Sequence, residues 1–353
     1  MADITRDDLR AAVAAGHLNE VQASRLIVLA DTRAGQRGAM GAEDEPFELF
    51  KGFAEIFVSV GLGILIAGIV GVSALLGDPG VVMVLWAAFC WIFALYFTRR
   101  RRMVLPSIVL VTGFAAALAG VGIAIVGKGL DLESSFAGSA LGILAIVGVG
   151  LLAWYRVFKL PFTMFLVGLV GLAAVLVLTQ SFNPSARWDD FTDAFDLRNG
   201  SGLAMGTLVF GVLAFVAGLF FDMRDPHRLG RNSASGFWLH LLAAPALVNT
   251  VALTFYNMGP GVGYWLLTLA LLGITALALV IDRRSFLTAG IGYLAFLVSL
   301  VARQGGDLSW PWVMVVLGLF LTALGAYWTD LRAHLMRMLP DFPGKRRLPP
   351  YAE

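Results

Sequence analysis

Ten runs of apolar residues, each about as long as a bilayer is thick, constrain this chain more than any other feature. An α-helix rises about 1.5 Å per residue, so about 20 apolar residues cross a hydrocarbon layer of about 30 Å. Only 14% of the residues are charged, whereas a soluble domain carries about 25%. The sequence therefore predicts an all-α, polytopic membrane helix bundle with about ten transmembrane helices and the lipid bilayer as a partner. The predicted spans cover residues 53–76, 81–98, 103–127, 134–155, 160–179, 200–221, 235–256, 261–281, 285–302 and 310–328.

The basic residues divide unequally between the two sides of this bundle. With ten crossings, 22 of the 26 Lys and Arg residues fall on the side that holds both termini. The other side retains only Lys128, Arg187, Arg198 and Arg303. Because Lys and Arg accumulate in the cytoplasmic loops of membrane proteins, this asymmetry predicts that both termini are cytoplasmic.

Before the first span, the sequence favours a small helical hairpin that turns at Gly16. Thr5 with Asp8, and Asn19 with Gln22, have the spacing of an N-cap residue and its partner three positions on. A DNA-binding helix-turn-helix is a sharper interpretation, but the acidic character of the segment argues against it, and no nucleic-acid partner is expected.

These features predict three regions and one surface helix. Residues 1–45 form a cytoplasmic hairpin and linker, residues 46–329 form the transmembrane domain, and residues 330–353 form a basic cytoplasmic tail. Within the transmembrane domain, the chain near residues 184–197 is expected to lie as a helix on the periplasmic surface.

That surface helix is predicted from the spacing of its aromatic and acidic residues. Trp188, Phe191 and Phe195 share one face at about 100° per residue, and the aspartates cover the opposite arc. The acidic arc is a candidate contact for a membrane-protein partner. A calcium site is the alternative, although the glycine and terminal glutamate of a calcium loop are missing. The candidate partner contacts are Trp188, Asp189, Asp193 and Asp196.

The seventh span is the only one that combines a histidine, a mid-span proline and an asparagine. Pro245 cannot donate to the carbonyl of Leu241, so we expect a kink with loose polar groups near mid-depth. His240, Pro245 and Asn249 are therefore candidate contacts for a solute. His240 and Asn249 lie on opposite faces of a straight helix, and in the alternative interpretation each is hydrogen-bonded to a neighbouring helix.

Charged residues are absent from the middle of every predicted span, which lowers the expectation of an ion-coupled pump. Glu55, Asp222 and Asp282 lie near span ends, where we expect them to reach the membrane interface.

The predicted cytoplasmic span ends repeat an Asp-x-Arg pattern, which fits arginines that reach lipid phosphates; duplicated hairpins are the alternative. A metal site in the loop at residues 222–228 is a further alternative, which the flanking arginines and proline disfavour. The pattern occurs at residues 222–224, 282–284 and 330–332.

Known catalytic patterns are missing from the sequence. It contains no phosphate-binding glycine loop, no nucleophile elbow and no paired intramembrane carboxylates. Cys90 is the only cysteine, so no disulfide within the chain and no cysteine metal site can form. We therefore expect a protein that is not an enzyme and binds no cofactor or metal.

Three segments and the N-terminal hairpin carry a resemblance to known sequences. The segments are EPFELF at residues 45–50, FWLHLLAAP at 237–245 and RRLPP at 346–350. They resemble predicted polytopic membrane proteins of alphaproteobacteria, of the domain-of-unknown-function type. The resemblance implies a bacterial inner membrane and supplies no activity or functional residue. In architecture alone, the ten-span plan is also similar to the drug/metabolite transporter superfamily.

Two functional hypotheses follow. The first is a transporter or permeation pathway for a small neutral or amphiphilic solute. The second is a non-catalytic scaffold or accessory subunit that binds partner proteins through the N-terminal hairpin and the acidic surface helix.

Overall fold

The computed structural model describes residues 6–19, 22–23, 26, 52–74, 78–129, 136–182, 191–225, 228, 231–284, 286, 309–349 and 351. Within these ranges, all regular secondary structure is helical. The chain divides into two units, Met1–Pro46 and Phe47–Glu353.

The smaller unit begins with helix α1 (Arg6–Ala14). A turn follows in which Gly16 has a φ of +75°, a conformation that favours glycine just beyond a helix end. Asn19 and Gln22 then cap each other: the Asn19 amide donates to Gln22 Oε1 at 3.0 Å and the Gln22 amide donates to Asn19 Oδ1 at 2.8 Å. The capping pair predicted at these two positions is thus confirmed. Thr5 and most of the second predicted helix lie outside the described residues.

The larger unit contains eight helices in the described ranges that are long and apolar enough to cross a membrane. They follow the order of the first eight predicted spans, with one short helix between the fifth and the sixth. The helices are α2 (Phe53–Ala74), α3 (Pro79–Ala94), α4 (Val104–Gly129), α5 (Phe136–Phe158), α6 (Phe162–Phe182), the short α7 (Phe191–Ala194), α8 (Gly202–Asp222), α9 (Arg231–Tyr256) and α10 (Val262–Ile281).

The last two predicted spans have different outcomes. The ninth, at residues 285–302, lies almost entirely outside the described residues. The tenth coincides with α11 (Ser309–Ala326), which is followed at a 75° bend by α12 (Trp328–Met338). By length and composition, the described residues therefore contain eight helices that could cross a membrane, or nine if the bent pair is one span.

The outer surface of these helices is covered by large apolar side chains. Phe57, Ile64, Val149, Leu213 and Trp265 are each more than 60% exposed. So much exposed apolar surface is unsuited to water and fits a hydrocarbon environment. The helices thus indicate a multi-pass integral membrane protein.

Aromatic side chains hold α3, α4 and α5 together. The Trp91 ring lies 5.6 Å from that of Phe114, 5.4 Å from that of Trp154 and 5.2 Å from that of Phe158. Such edge and tilted ring pairs contribute about 0.5–1.5 kcal/mol each beyond their buried area.

Helix α9 packs against α6, α8 and α10. Half of its most apolar stretch is buried, a larger share than in the other seven spanning helices. This burial suits its sequence, because α9 carries more polar residues than its neighbours and the bundle shields them from lipid. The helix is continuous through Pro245, whose side chain is exposed. The kink expected at Pro245 thus does not interrupt α9.

The connection between α6 and α8 is not one continuous helix up to residue 197. Helix α7 ends at Ala194, and a 3₁₀ turn follows at Leu197–Asn199. Asp196 caps this turn, because its Oδ1 accepts from the Arg198 amide at 2.8 Å. Asp196 is only 2% exposed, so it does not lie on an exposed acidic arc.

Glu55 is also buried, contrary to the expectation that it reaches the membrane interface. Its Oε2 accepts from the amides of Val104 and Leu105 at 3.0 and 3.1 Å. These amides are at the start of α4, where the first N–H groups of a helix have no partner within the helix. Glu55 of α2 therefore caps α4 from outside and matches the positive end of its dipole.

Replacing Glu55 should destabilise the protein through this cap. In Glu55→Gln the negative charge at the α4 terminus is lost, so we expect the free energy of unfolding to fall by about 1–2 kcal/mol. Thermal unfolding in detergent measures the change. The matched control is Asp341→Asn, since the Asp341 side chain is 94% exposed and should change stability by less than about 0.5 kcal/mol. Equal effects of the two variants would contradict the buried cap.

Candidate functional site

Three spanning helices bring ionisable residues together at one end of the bundle. Asp222 is the last residue of α8, His240 lies about a third of the way along α9, and Arg283 follows the end of α10. All three side chains are buried. We call these three residues the ionic junction.

Asp222 is the centre of the ionic junction because both of its carboxylate oxygens accept hydrogen bonds. Arg283 Nε donates to Oδ2 at 3.0 Å, and Arg283 Nη2 donates to Oδ1. His240 Nε2 lies 2.9 Å from the same Oδ2. A two-pronged guanidinium–carboxylate pair is the strongest form of charged hydrogen bond between side chains.

Arg283 also contacts α9. Its Nη2 donates to the backbone oxygen of Ser233 at 2.8 Å and lies 3.2 Å from Ser233 Oγ. One guanidinium therefore links the end of α10 to the end of α8 and to the first turn of α9.

His240 is fully buried between the junction and two aromatic rings. Its ring centroid lies 5.4 Å from that of Phe215 and 5.6 Å from that of Phe286. Nε2 faces Asp222, whereas Nδ1 has no hydrogen-bond partner among the described residues. Thus the imidazole has one satisfied nitrogen and one buried nitrogen that is not used.

Two glycines make room for these side chains. A Cβ at Gly218 would lie 2.8 Å from His240 Cε1, and a Cβ at Gly236 would overlap Asp222 Oδ1 and lie 3.1 Å from the Gly218 oxygen. Neither atom could be accommodated without moving the junction.

Next to the ionic junction, Asp282 forms a second buried ion cluster. Trp328 Nε1 donates to Asp282 Oδ1 at 2.7 Å, and Arg228 Nη1 lies 3.0 Å from Oδ2. Arg332, which is fully buried, has its Nε 3.7 Å from Oδ1. Since Trp328 and Arg332 belong to α12, this cluster fixes α12 to the end of α10.

The two clusters join three guanidinium groups to two carboxylates, an excess of one positive charge with neutral His240. Two of the three guanidinium groups also donate to backbone oxygens at the end of α10. Arg332 Nε donates to the Leu279 oxygen at 3.1 Å, and Arg228 Nη2 donates to the Asp282 oxygen. The C-terminus of a helix carries about half a negative charge, so these contacts reduce the imbalance.

The opposite end of the α8–α9 contact also contains buried polar groups. Thr207 Oγ1 and Thr250 Oγ1 lie 3.0 Å apart, and Thr254 Oγ1 accepts from the Leu197 amide at 3.1 Å. Beyond them, Asn257 Nδ2 donates to Asp196 Oδ2 at 3.1 Å. Polar contacts are thus present at both ends of this helix pair.

The predicted solute contacts do not form one site. His240 is in the ionic junction, the Pro245 side chain is exposed, and Asn249 is half-buried. The hydrogen bond from His240 to α8 confirms the alternative interpretation for this residue.

The predicted partner contacts are also separated. Trp188 and Asp189 lie outside the described residues, Asp193 is exposed, and Asp196 is buried.

Sequence reasoning missed the partners of His240, although it singled out the Asp-x-Arg pattern that contains them. The expectation that the acids and arginines of this pattern reach the interface is wrong for Asp222, Asp282, Arg283 and Arg332, which are buried. Arg224 is exposed, and its guanidinium lies 3.9 Å from the centre of the Phe220 ring.

The chemistry available at the ionic junction is hydrogen bonding and proton exchange. No hydroxyl or thiol of the described residues lies within hydrogen-bond distance of His240 Nδ1. In the same residues, no group of three or more His, Cys, Asp or Glu side chains could hold a metal ion.

Comparison with models of protein families finds no match, and neither curated proteins nor solved structures match the chain.

Filling the space at Gly236 should disrupt the ionic junction. Gly236→Ala places a methyl group against Asp222, so we expect a loss of about 1–3 kcal/mol of stability from overpacking. The matched control is Gly273→Ala in α10, where a Cβ meets nothing within 4 Å; this change should stabilise the helix by about 0.5–1 kcal/mol. Thermal unfolding in detergent distinguishes the two outcomes. If Gly236→Ala were as stable as Gly273→Ala, the close approach of Asp222 to α9 would be disproved.

Proposed function

We propose that this protein is a membrane transport protein in which the ionic junction closes one end of a solute pathway between α8 and α9. The observation that carries the proposal is the burial of Asp222, His240 and Arg283 where three spanning helices meet. Removing charges from water costs several kcal/mol per ion, and replacing a buried ion pair by apolar residues often leaves a protein equally stable. Stability alone therefore does not explain why these charges are buried. In membrane helices, buried ionisable groups commonly mark solute and ion pathways.

Polar groups between α8 and α9 support a course for the proposed pathway. One end is closed by the junction, and the other by the contact of Asp196 with Asn257. Between them lie the hydroxyl pair of Thr207 and Thr250 and close-packed small residues such as Ala214. Opening one end at a time would give a solute access from one side of the membrane at a time.

The solute class follows from the charges of the junction. In the closed arrangement Asp222 and Arg283 neutralise each other directly, so the pair presents no net charge to an ionic solute. We therefore propose a small neutral or amphiphilic solute and a role without catalysis. The positive charge asymmetry supports cytoplasmic termini, and the sequence resemblance supports a bacterial inner membrane.

Thiol accessibility tests the pathway without knowledge of the solute. In a Cys90→Ala background, Thr207→Cys and Thr250→Cys are exposed to a charged methanethiosulfonate reagent, applied to proteoliposomes. Such a reagent reacts only with thiols that water reaches. Even a minor open state of about 1–10% would allow reaction, so we expect rates at least about tenfold above that of a lipid-facing thiol.

The matched control is Thr268→Cys in the same background. Thr268 is an exposed threonine of α10 whose hydroxyl makes the same kind of bond to the preceding turn as that of Thr250. If the two interior thiols react no faster than this control, the α8–α9 contact is packed and dry. That result would reject a pathway and favour a scaffold or accessory subunit.

A further inference from the structure

The unused nitrogen of His240 is the feature that the proposed pathway leaves unexplained. Nδ1 is buried and has no partner among the described residues, whereas Nε2 is bonded to Asp222. A buried polar atom without a partner is uncommon in folded proteins and calls for an explanation.

We infer that His240 is the binding site of a proton that couples to the opening of the pathway, with the imidazolium replacing Arg283 as the counter-ion of Asp222. The inference rests on the proposed transport function. It names the coupling ion at the same site.

In the closed arrangement, the charges of the junction cancel. Arg283 pairs with Asp222 through two hydrogen bonds. A neutral imidazole adds no charge, and with its hydrogen on Nε2 it donates to the same carboxylate. The lone pair on Nδ1 is then free to accept one proton.

Opening of the junction requires Arg283 to leave Asp222, because Arg283 holds the ends of α8 and α10 together. Asp222 would then be a buried carboxylate without its guanidinium, which is strongly destabilising. A hydronium ion from the aqueous phase transfers one proton to the Nδ1 lone pair, so an O–H bond breaks, an N–H bond forms and a water molecule remains. His240 becomes the counter-ion of Asp222, while the released Arg283 faces the water that opening admits. The proton returns to water when Arg283 pairs with Asp222 again. Opening and proton uptake therefore favour each other.

Few charged or titratable groups face His240. From α8 it faces Asp222, Phe215 and the glycine at 218, and from the chain after α10 it faces Phe286, with Arg283 reached through Asp222. Asp225, which accepts from the Ser233 amide at 3.4 Å, is the next acidic group along the chain. Asp222 is the only charged group of the described residues that is hydrogen-bonded to His240.

The test measures thiol accessibility against pH. Reaction of Thr250→Cys, in the Cys90→Ala background, is followed in proteoliposomes from pH 5 to pH 8. Each rate is divided by that of the exposed Arg101→Cys, which removes the titration of the thiol itself. Because histidine ordinarily titrates in this range, we expect the ratio to rise about tenfold from pH 8 to pH 5.

Variants then assign the effect to His240. His240→Gln should abolish the pH dependence, and His334→Gln, which changes an exposed histidine of α12, should retain it. In Arg283→Gln the rise in the ratio from pH 8 to pH 5 should shrink, because opening no longer separates Asp222 from a guanidinium. A purely structural histidine would leave no pH-dependent rise for Arg283→Gln to alter.

A second measurement does not depend on the folding of His240→Gln or Arg283→Gln. In wild-type protein labelled with ¹⁵N-histidine, the signals of the other three histidines are identified in His17→Gln, His227→Gln and His334→Gln. The remaining signals, those of His240, should change from one protonated nitrogen to two as the pH falls. A signal that stays neutral down to pH 5 would overturn the inference.

The two proposals fail in different ways. If Thr250→Cys reacts faster than Thr268→Cys but with no dependence on pH, the pathway stands and the proton site is rejected. If Thr250→Cys is unreactive at every pH, the pathway itself is rejected.

Discussion

A buried carboxylate must find its hydrogen-bond donors inside the protein, and Asp222 imposes this constraint on the second half of the bundle. Its oxygens need donors from α9 and from the chain after α10, so the ends of α8 and α10 are brought to one point on α9. The same constraint explains the glycine at 236, because any side chain there would occupy the space of the carboxylate. Charge pairing and close backbone approach thus depend on each other.

The adjacent residues Asp282 and Arg283 extend this arrangement to α12. Asp282 ends α10 in a left-handed conformation, with a φ of 54°. Asp282 bonds to Trp328 while Arg283 bonds to Asp222, so a single turn of chain connects two buried ion clusters. Because α12 and the ionic junction share this turn, a movement of α10 that releases Asp222 would also act on the contact with α12.

The sequence predicted the helices far better than it predicted the site. The first eight spans are long apolar runs, and their lengths follow directly from bilayer thickness, so α2–α6 and α8–α10 could be predicted. The junction could not, because its members are 18 and 61 residues apart along the chain, and local patterns carry no information on which helix ends meet. Arginines at span ends ordinarily lie at the lipid surface. The burial of Arg283 and Arg332 depends on tertiary contacts with Asp222 and Asp282, which a single sequence does not reveal.

Asp222 and Arg283 form one buried pair within the bundle. A double-mutant cycle measures their interaction from the free energy of unfolding of wild type, Asp222→Asn, Arg283→Gln and the double variant in one detergent. We expect the double variant to lose less than the sum of the single losses, with a coupling energy of about 1–3 kcal/mol. Losses that add within about 0.3–0.5 kcal/mol would show that the two side chains do not interact.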